Sequence, residues 1–300
     1  MGSRLFLFFT LFSLIGCSPK EQPIDVLRHD IKEVLAGKDA TVGVSFIGTK
    51  TNDTISINGD KHLPMQSVFK YHLALAVLQQ VDEGKFDLNE KITITKEDLN
   101  NNLWSPIRKK YPEGVDLTLK EIIKSTVAQS DNVGCDLLFD LVGNPKIVEE
   151  YLHQSGITDV SIQYNEVNQQ AVWERQYKNW TTAKAANQAL KVFFDNSKKQ
   201  LSDESYHFLW QTMKASKTGK KCIKGGLPEG IVIAHKTGHS GKNDDGLTAA
   251  QNDIGIVFSP TGEHFYLSIL VSNSNEESAV NKKIIADIAT LCWDYFENKK

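Results

Sequence analysis

The sequence is poor in the residues that signal a metal centre, a disulfide framework or a polyanion-binding surface. It has four cysteines in 300 residues, with no Cys-x-x-Cys pair and no cysteine and histidine cluster, which argues against zinc motifs and small disulfide-rich domains. It also lacks a basic excess, since 34 Lys and Arg stand against 37 Asp and Glu, for a formal charge of -3. We therefore expect no metal, no other cofactor and no nucleic-acid partner.

The N-terminal segment has the pattern of an export signal. The apolar stretch from Leu5 to Gly16 is too short to span a bilayer as a helix of the mature protein. At the end of this stretch, the segment from Leu14 to Cys17 resembles a bacterial lipobox, in which the cysteine becomes lipidated. The pattern predicts a signal peptide at 1–16, a lipid-anchored tether at 17–23, and an exported, periplasmic protein held at the membrane only through Cys17. The alternative is an ordinary secretory signal with an incidental cysteine.

The rest of the chain, with 40% hydrophobic and 24% charged residues, has the composition of a globular protein. An amphipathic helix from Ile24 to Leu35 precedes a β-branched hairpin, helical patterns fill the middle, and three strand-like runs lie between Ile231 and Val271 before a final helix. This order predicts an α+β fold, with a five-stranded antiparallel sheet flanked by terminal helices and an inserted all-helical domain. The sheet domain takes 24–62 and 214–300, and the helical domain takes 63–213.

A hydroxyl and an amine lie one helical turn apart at Ser67 and Lys70, in the helix predicted after Pro64. Such a lysine can take the proton of the serine, while N–H groups at the helix start stabilise the developing charge. The match alone is weak, because Ser-x-x-Lys arises by chance about once in a chain of this length. The apolar neighbours Val68 and Phe69 favour a buried turn over the alternative, a capped helix with a surface lysine.

Two polar tripeptides fall where they could reach such a site. Ser-Asp-Asn at 130–132 joins two predicted helices, where it can cap a helix, supply a second hydroxyl or hold a carbonyl through its amide. Lys-Thr-Gly at 236–238 extends a core strand, whose edge can bind an extended ligand. The same tripeptide recurs at 217–219, where it follows a helix into a polar loop, so context alone separates the two copies.

Taken in order, Ser67-x-x-Lys70 and the tripeptides 130–132 and 236–238 resemble the signature of class A serine β-lactamases and penicillin-binding proteins. Separations of 63 residues from Ser67 to Ser130 and 106 from there to Lys236 also look like class A. Glu166 resembles the loop glutamate of that family. The segments Pro-Met-Gln-Ser-Val-Phe-Lys, Lys-Asn-Trp and Ala-His-Lys-Thr-Gly are most similar to the branch that includes the VEB and PER extended-spectrum enzymes.

The resemblance implies a cofactor-free hydrolase that opens the lactam ring of penicillins and cephalosporins. It implies four catalytic residues: Ser67 as nucleophile, Lys70 as proton acceptor, Ser130 as proton donor to the lactam nitrogen and Glu166 as base for the deacylating water. It implies a substrate-binding set of Asn132, Lys236, Thr237, His239, Trp104 and Gln170. The backbone N–H groups of Ser67 and His239 would form the oxyanion hole.

Several positions depart from the family pattern. Tyr164 and Asn179 stand where the family commonly has an Arg–Asp ion pair that closes the catalytic loop, and Gln170 stands where it has an asparagine. The strand after the last motif offers Asn252 and Asp253 where many relatives have an arginine for the substrate carboxylate. The sequence therefore supports acylation of Ser67 better than it supports rapid turnover or a particular substrate spectrum.

The remaining cysteines, Cys135, Cys222 and Cys292, form an odd set once Cys17 is assigned to the anchor. Buried free thiols are the expected state, and a bridge between Cys222 and Cys292 is the alternative. We expect a monomer whose partner is a small-molecule β-lactam.

Two other functions could use the same residues. A penicillin-binding DD-peptidase would employ Ser67, Lys70 and Ser130 on peptidoglycan stems, and Glu166 argues against it. A β-lactam sensor would be acylated without release, and the changes at Gln170 and Tyr164 favour it.

Overall fold

The structure, a computed structural model, describes residues 22–50 and 52–298. The predicted signal peptide at 1–16, Cys17 and most of the tether at 17–23 lie outside these residues. The described part contains ten α-helices: α1 Pro23–Leu35, α2 Phe69–Asp82, α3 Pro106–Lys110, α4 Leu119–Ala128, α5 Asn132–Val142, α6 Pro145–Gln154, α7 Glu166–Ala171, α8 Ala183–Asp195, α9 Asp203–Lys214 and α10 Ser278–Asn298. None of these described helices has the length and apolar composition needed to cross a membrane.

The described residues also form ten strands: β1 Thr41–Gly48, β2 Thr54–Ile57, β3 Leu63–Pro64, β4 Lys91–Ile94, β5 Val115–Thr118, β6 Val160–Ser161, β7 Trp180–Thr181, β8 Val232–His239, β9 Thr248–Phe258 and β10 His264–Ser274. Five of them form one antiparallel sheet in the order β2-β1-β10-β9-β8. The N-terminal hairpin therefore pairs with the last strand, and both ends of the chain contribute to one sheet. The predicted α+β fold with a five-stranded antiparallel sheet is confirmed.

Three helices, α4, α6 and α8, begin where the sequence supplies caps. Thr118 and Glu121 form a reciprocal capping box at the start of α4, in which the Glu121 carboxylate accepts from the Thr118 N–H at 2.9 Å. Asn144 caps α6, whose first residue is Pro145, and Thr182 caps α8. These local signals explain why the starts of these three helices could be predicted from the sequence.

Two hydrophobic cores lie on opposite faces of the five-stranded sheet. Phe265 and Leu267 of β10 pack in one core with residues of α1 and α10. Tyr266, which alternates with them and so points the other way, packs in a second core with residues of α2, α4, α5 and α9. Because this second core runs from the helices onto the sheet, the division into 24–62 with 214–300 and 63–213 stays a prediction.

The three cysteines of the described chain are buried free thiols. The alternative bridge between Cys222 and Cys292 is therefore not formed. Burial raises the pKa of all three thiols, including Cys135, which keeps them protonated and unreactive.

The segment around Ser67 differs from the predicted continuous helix. Gln66–Val68 form a 3₁₀ turn, and the α-helix begins at Phe69 and ends at Asp82. Gln66 has a left-handed φ of 48°, which interrupts a helical path from Pro64. The turn is shaped by contacts with distant strands, which local sequence patterns do not reveal.

Candidate active site

The turn that carries Ser67 is held against the five-stranded sheet. The Asn252 side chain on β9 donates to the carbonyl oxygens of Pro64 and Met65, at 2.8 and 3.1 Å. At the neighbouring position on β8, a Cβ at Gly238 would lie 2.2 Å from the Met65 oxygen and 3.2 Å from the Ser67 nitrogen. Only glycine therefore allows the end of β8 to lie beside the backbone N–H of Ser67.

Lys70 is the centre of the polar network in the site. Its ammonium lies 3.0 Å from the Ser67 Oγ, 3.0 Å from the Ser130 carbonyl oxygen and 2.9 Å from Glu166 Oε1, and it also contacts Asn132 Oδ1. Lys70 and Glu166 are almost completely buried, which strengthens their attraction relative to that of a surface pair. All four neighbours are oxygen atoms that can accept hydrogen bonds, and the three N–H groups of the Lys70 ammonium are shared among them.

Glu166 faces Ser67 from the first turn of α7. The Ser67 hydroxyl donates to Glu166 Oε1 at 3.3 Å, while Gln170 Nε2 donates to Glu166 Oε2 at 2.7 Å. Asn168 instead donates to Asn165, at 2.7 Å. Of these two amides on α7, Gln170 is therefore the one that contacts the carboxylate.

Asp136 fixes the start of α7, and the sequence analysis missed it. Its carboxylate accepts from the N–H groups of Glu166 and Val167, at 2.7 and 2.9 Å. Burial raises the pKa of Asp136 to about 7, although the two N–H groups act to lower it. Its position four residues after Asn132, on the same face of α5, is the signal that could have identified it.

Ser130 connects the two buried lysines of the site. It has a left-handed φ of 60°, and its carbonyl oxygen accepts from Lys70 while its Oγ accepts from Lys236 at 3.0 Å. Lys236 Nζ also donates to the Thr237 carbonyl oxygen at 2.8 Å. Burial, and after it the nearby Lys70 ammonium, lower the pKa of Lys236 to about 7.

Asp131 holds the segment 130–132 in place from within the protein interior. Its buried carboxylate caps α5 by accepting from the Gly134 N–H at 2.9 Å, and it also accepts from the Ile107 N–H at 2.7 Å and the Ser105 hydroxyl at 3.0 Å. The central residue of the 130–132 tripeptide is therefore a scaffold, whereas its neighbours face the site.

The residues predicted from the sequence to form the active site meet at one cleft of about 680 Å³. The size of this cleft suits a small organic molecule. Eight of these residues line it directly: Ser67, Trp104, Ser130, Asn132, Glu166, Gln170, Thr237 and His239. Lys70 and Lys236 lie beneath the surface and reach the cleft through their hydrogen bonds to Ser67 and Ser130. Trp104 is 63% exposed at the edge, with its indole N–H donating to the Gln129 carbonyl oxygen at 3.2 Å.

The second Lys-Thr-Gly copy also reaches this cleft, which its polar-loop context did not predict. The hydroxyls of Thr218 and Thr237 lie 2.7 Å apart, so the two copies are in direct contact. Asn252 and Asp253, by contrast, are engaged elsewhere. Asn252 holds the Ser67 turn, and Asp253 lies 3.0 Å from the His235 Nδ1.

The loop that follows Glu166 is closed by amides in place of the family's usual ion pair. The buried Asn179 accepts from the N–H groups of Gln163 and Tyr164, at 2.8 and 3.0 Å, and donates to the Tyr164 carbonyl oxygen at 2.7 Å and to Gln169 Oε1 at 2.8 Å. Gln169 in turn donates to Gln66, beside Ser67, at 3.2 Å. This clamp carries no net charge, so salt does not screen it.

Asn179→Ala should lower the free energy of unfolding by about 2 to 4 kcal/mol, because it leaves several buried polar groups without partners. It should also slow any reaction step that depends on the position of Glu166. Urea unfolding and a turnover assay measure the two effects. Asn168→Ala, an exposed substitution in the same loop, is the control and should stay within about 0.5 kcal/mol of the unmodified protein. An equal loss in both variants would contradict the clamp.

Comparison with known proteins supports the identity suggested by this geometry. The profile of the β-lactamase enzyme family matches residues 26–296. β-Lactamase VEB-1 of Pseudomonas aeruginosa is 41% identical over 295 residues, covering 98% of each chain. The extended-spectrum β-lactamase PER-1 of the same species is 40% identical over 300 residues, covering 100% of this chain and 94% of its own. The crystal structure of the TLA-1 extended-spectrum β-lactamase has 46% identity and a TM-score of 0.88, covering 91% of this chain and 99% of its own. The chain therefore belongs to the β-lactamase enzyme family, and the predicted resemblance to class A members of the VEB and PER branch is confirmed.

Proposed function

We propose that the chain hydrolyses penicillins and cephalosporins in two steps, through an acyl-enzyme on Ser67. The observation that carries this proposal is the position of one hydroxyl between a buried ammonium and a buried carboxylate, 3.0 Å from Lys70 Nζ and 3.3 Å from Glu166 Oε1. Family membership supports β-lactam hydrolysis as the activity. Since ring opening inactivates the drug, such an activity confers resistance to β-lactam antibiotics.

In the acylation step, the Ser67 Oγ attacks the lactam carbonyl carbon and loses its proton. Lys70 donates to Ser67, and the Ser67 hydroxyl donates to Glu166. This direction of the hydrogen bonds favours Glu166 as the acceptor of the serine proton, with Lys70 stabilising the negative charge that develops on both oxygens. The backbone N–H groups of Ser67 and His239 would hold the carbonyl oxygen as it becomes an oxyanion.

Ser130 is placed to complete ring opening. As the C–N bond of the lactam breaks, the nitrogen needs a proton, and Ser130 Oγ is the hydroxyl held beside Lys236. Lys236, which donates to that oxygen, stabilises the transient negative charge when the proton leaves. Lys236, 3.0 Å away, passes a proton to Ser130 to restore the hydroxyl and regains one from solvent. Glu166 releases the serine proton to solvent and so is a carboxylate again before deacylation.

In the deacylation step, the Glu166 carboxylate would take a proton from a water that attacks the ester carbon. Gln170 donates to the other carboxylate oxygen at 2.7 Å and so fixes the direction in which Glu166 faces. Asp136 fixes the backbone at the same residue. These contacts support turnover despite the departures from the family pattern, and they argue against a sensor that never releases its ligand.

The remaining residues are assigned to binding. Lys236 and Thr237 would hold the ring carboxylate, and Asn132 would hold the amide of the acyl side chain. Trp104 and Gln170 line the part of the cleft that receives the acyl group, and His239 lies at the end of β8. The proposed mechanism uses no cofactor.

A chromogenic cephalosporin, followed by colour release and by the intact mass of the protein, separates the candidate functions. Steady colour release with little adduct supports hydrolysis. A persistent one-to-one adduct would support the sensor, and slow acylation together with cleavage of D-Ala-D-Ala peptides would support the DD-peptidase.

The charge of Lys236 gives a pH prediction. As pH rises through about 7, the folded protein loses the Lys236 charge, so binding of an anionic substrate weakens and kcat/KM falls. We expect a decline of about tenfold between about pH 7 and 9, well before an ordinary lysine titrates. In Lys236→Arg, whose guanidinium stays charged over this range, the alkaline decline should disappear. Persistence of the decline in that variant would assign it to another group.

We also propose export of the chain and a lipid anchor at Cys17. The support is the apolar segment Leu5 to Gly16 and the lipobox-like Leu14 to Cys17. The mass of the mature N-terminal peptide tests both, since a diacylated Cys17 supports the anchor and a free cysteine supports simple secretion. We propose that the mature protein is a monomer and that it does not bind nucleic acid.

A further inference from the structure

The cleft has a positively charged rim that the mechanism does not use. Lys217, Lys220, Lys221 and Lys282 line it. Three of them belong to the segment 217–221, which follows α9, and the fourth lies in the first turns of α10. Two separate parts of the fold therefore contribute lysines to the lining of one cleft, in a chain with a formal charge of -3.

These four lysines, named here the lysine rim, have no acidic partners among the residues that the structure describes. Neighbouring lysines do have them, since Lys242 pairs with Glu277 at 2.7 Å and Lys283 pairs with Asp287 at 2.7 Å. Within the cleft lining, the acidic side chain is Glu166, which is already paired with Lys70. The lysine rim therefore adds unpaired positive charge to the mouth of the site, and the buried acid behind it, Asp253, is already paired with His235.

The lysine rim is fixed beside the strand assigned to the ring carboxylate. The Thr218 hydroxyl lies 2.7 Å from the Thr237 hydroxyl, and the Lys217 N–H donates to the Ala128 carbonyl oxygen at 2.7 Å. A Cβ at Gly219 would lie 2.6 Å from Thr237 Cγ2, so the segment packs closely on β8. These contacts place the start of the segment next to Thr237.

The fourth lysine approaches the same end of β8 from α10. Desolvation lowers the pKa of His239 against the opposing effect of a backbone hydrogen bond at Ala250, and the nearby Lys282 ammonium acts in the same direction as desolvation. Lys282 is only half-buried, so it is accessible to a ligand in the cleft.

We infer that the lysine rim is a second anion subsite, for an acidic substituent carried by a β-lactam in addition to its ring carboxylate. In a cephalosporin, the C3 substituent is attached to the carbon adjacent to the one that bears the ring carboxylate. When Lys236 and Thr237 hold that carboxylate, the C3 substituent extends along the neighbouring segment 217–221. The subsite thus favours cephalosporins with an anionic C3 group and disfavours those with a cationic one.

This inference rests on the proposed function, and the test separates the two. Cefotaxime, ceftriaxone and cefepime share one acyl side chain but carry a neutral, an anionic and a cationic C3 group, respectively. The test is a comparison of kcat/KM for these three cephalosporins between the unmodified protein and a quadruple variant, named here the rim variant. The rim variant carries Lys217→Gln, Lys220→Gln, Lys221→Gln and Lys282→Gln. A control variant neutralises four exposed lysines outside the cleft: Lys32, Lys61, Lys124 and Lys198.

In the rim variant, the ceftriaxone-to-cefotaxime ratio of kcat/KM should fall about fivefold to tenfold, and the cefepime-to-cefotaxime ratio should rise. The control has the same net charge as the rim variant, and both of its ratios should stay within about twofold of the unmodified protein. In the unmodified protein, raising the salt from about 0.05 to 0.5 M should lower the ceftriaxone-to-cefotaxime ratio.

Unchanged ratios in the rim variant, or equal changes in both variants, would overturn the subsite while leaving the proposed function in place. A ratio in the unmodified protein that does not respond to salt would also overturn it, without any need for a variant. Failure of the unmodified protein to hydrolyse all three compounds would instead contradict the proposed function.

Discussion

Glu166→Gln should convert the protein from a hydrolase into one that stops at the acyl-enzyme. Glutamine keeps the shape of the side chain but cannot take a proton from water, so deacylation should slow by about 10² to 10⁴-fold. Acylation should continue at a reduced rate, because the Ser67 nucleophile and its 3.0 Å contact with Lys70, the alternative proton acceptor, are unchanged. Intact mass spectrometry should show the protein mass plus one β-lactam, persisting after free substrate is removed.

The matched control for this prediction is Asn168→Ala, which alters an exposed amide on the same helix. It should retain turnover within about threefold of the unmodified protein. If Glu166→Gln released product as fast as the unmodified protein, the deacylating base would be another group, and the role proposed for α7 would be wrong.

Ser67→Ala should remove both covalent labelling and hydrolysis. The substitution deletes the Oγ that lies 3.0 Å from Lys70 and leaves no other nucleophile in its place. We expect the rate of ring opening to fall by about 10⁴-fold or more, as in other enzymes that lose a catalytic nucleophile. Hydrolysis of a chromogenic cephalosporin measures the rate, and intact mass measures the labelling.

Substrate should still bind to the Ser67→Ala protein, because Asn132, Lys236 and Thr237 are unchanged. Ligand-induced thermal stabilisation therefore serves as its folding control. Ser197→Ala, at an exposed position just after α8, is a serine control that should keep full activity. Wild-type turnover by Ser67→Ala would refute covalent catalysis at this position.

The elements that could be predicted from the sequence are those with local causes. The Thr118–Glu121 capping box, Pro145 at the start of α6 and the β-branched strands all encode their structure within a few residues. The order and spacing of three common motifs with Glu166 indicated one site, and the structure brings these residues to one cleft.

The features that could not be predicted depend on contacts between distant segments. The left-handed Gln66 and the 3₁₀ turn at Ser67 reflect packing against Gly238 and Asn252, which lie over 170 residues later. Two-residue strands such as β3 are too short to show a period.

The amide clamp and the lysine rim are likewise invisible to local patterns. Asn179 was recognised only as a departure from an ion pair, because its side chain makes four hydrogen bonds to three residues that are spread over the loop from Gln163 to Gln169. The Lys-Thr-Gly copy at 217–219 was judged by its polar loop, whereas its place in the cleft depends on contact with the distant Thr237.

The central claim is that the Ser67 Oγ is the atom that becomes acylated. Peptide mapping of the Glu166→Gln adduct tests this claim most directly. Cleavage after Lys61 and Lys70 yields the peptide 62–70, whose one hydroxyl-bearing residue is Ser67, whereas Ser130 falls in the peptide 125–146. We predict the added mass of one β-lactam on peptide 62–70. An adduct on peptide 125–146, or an unmodified peptide 62–70 in protein that carries the added mass, would contradict the account.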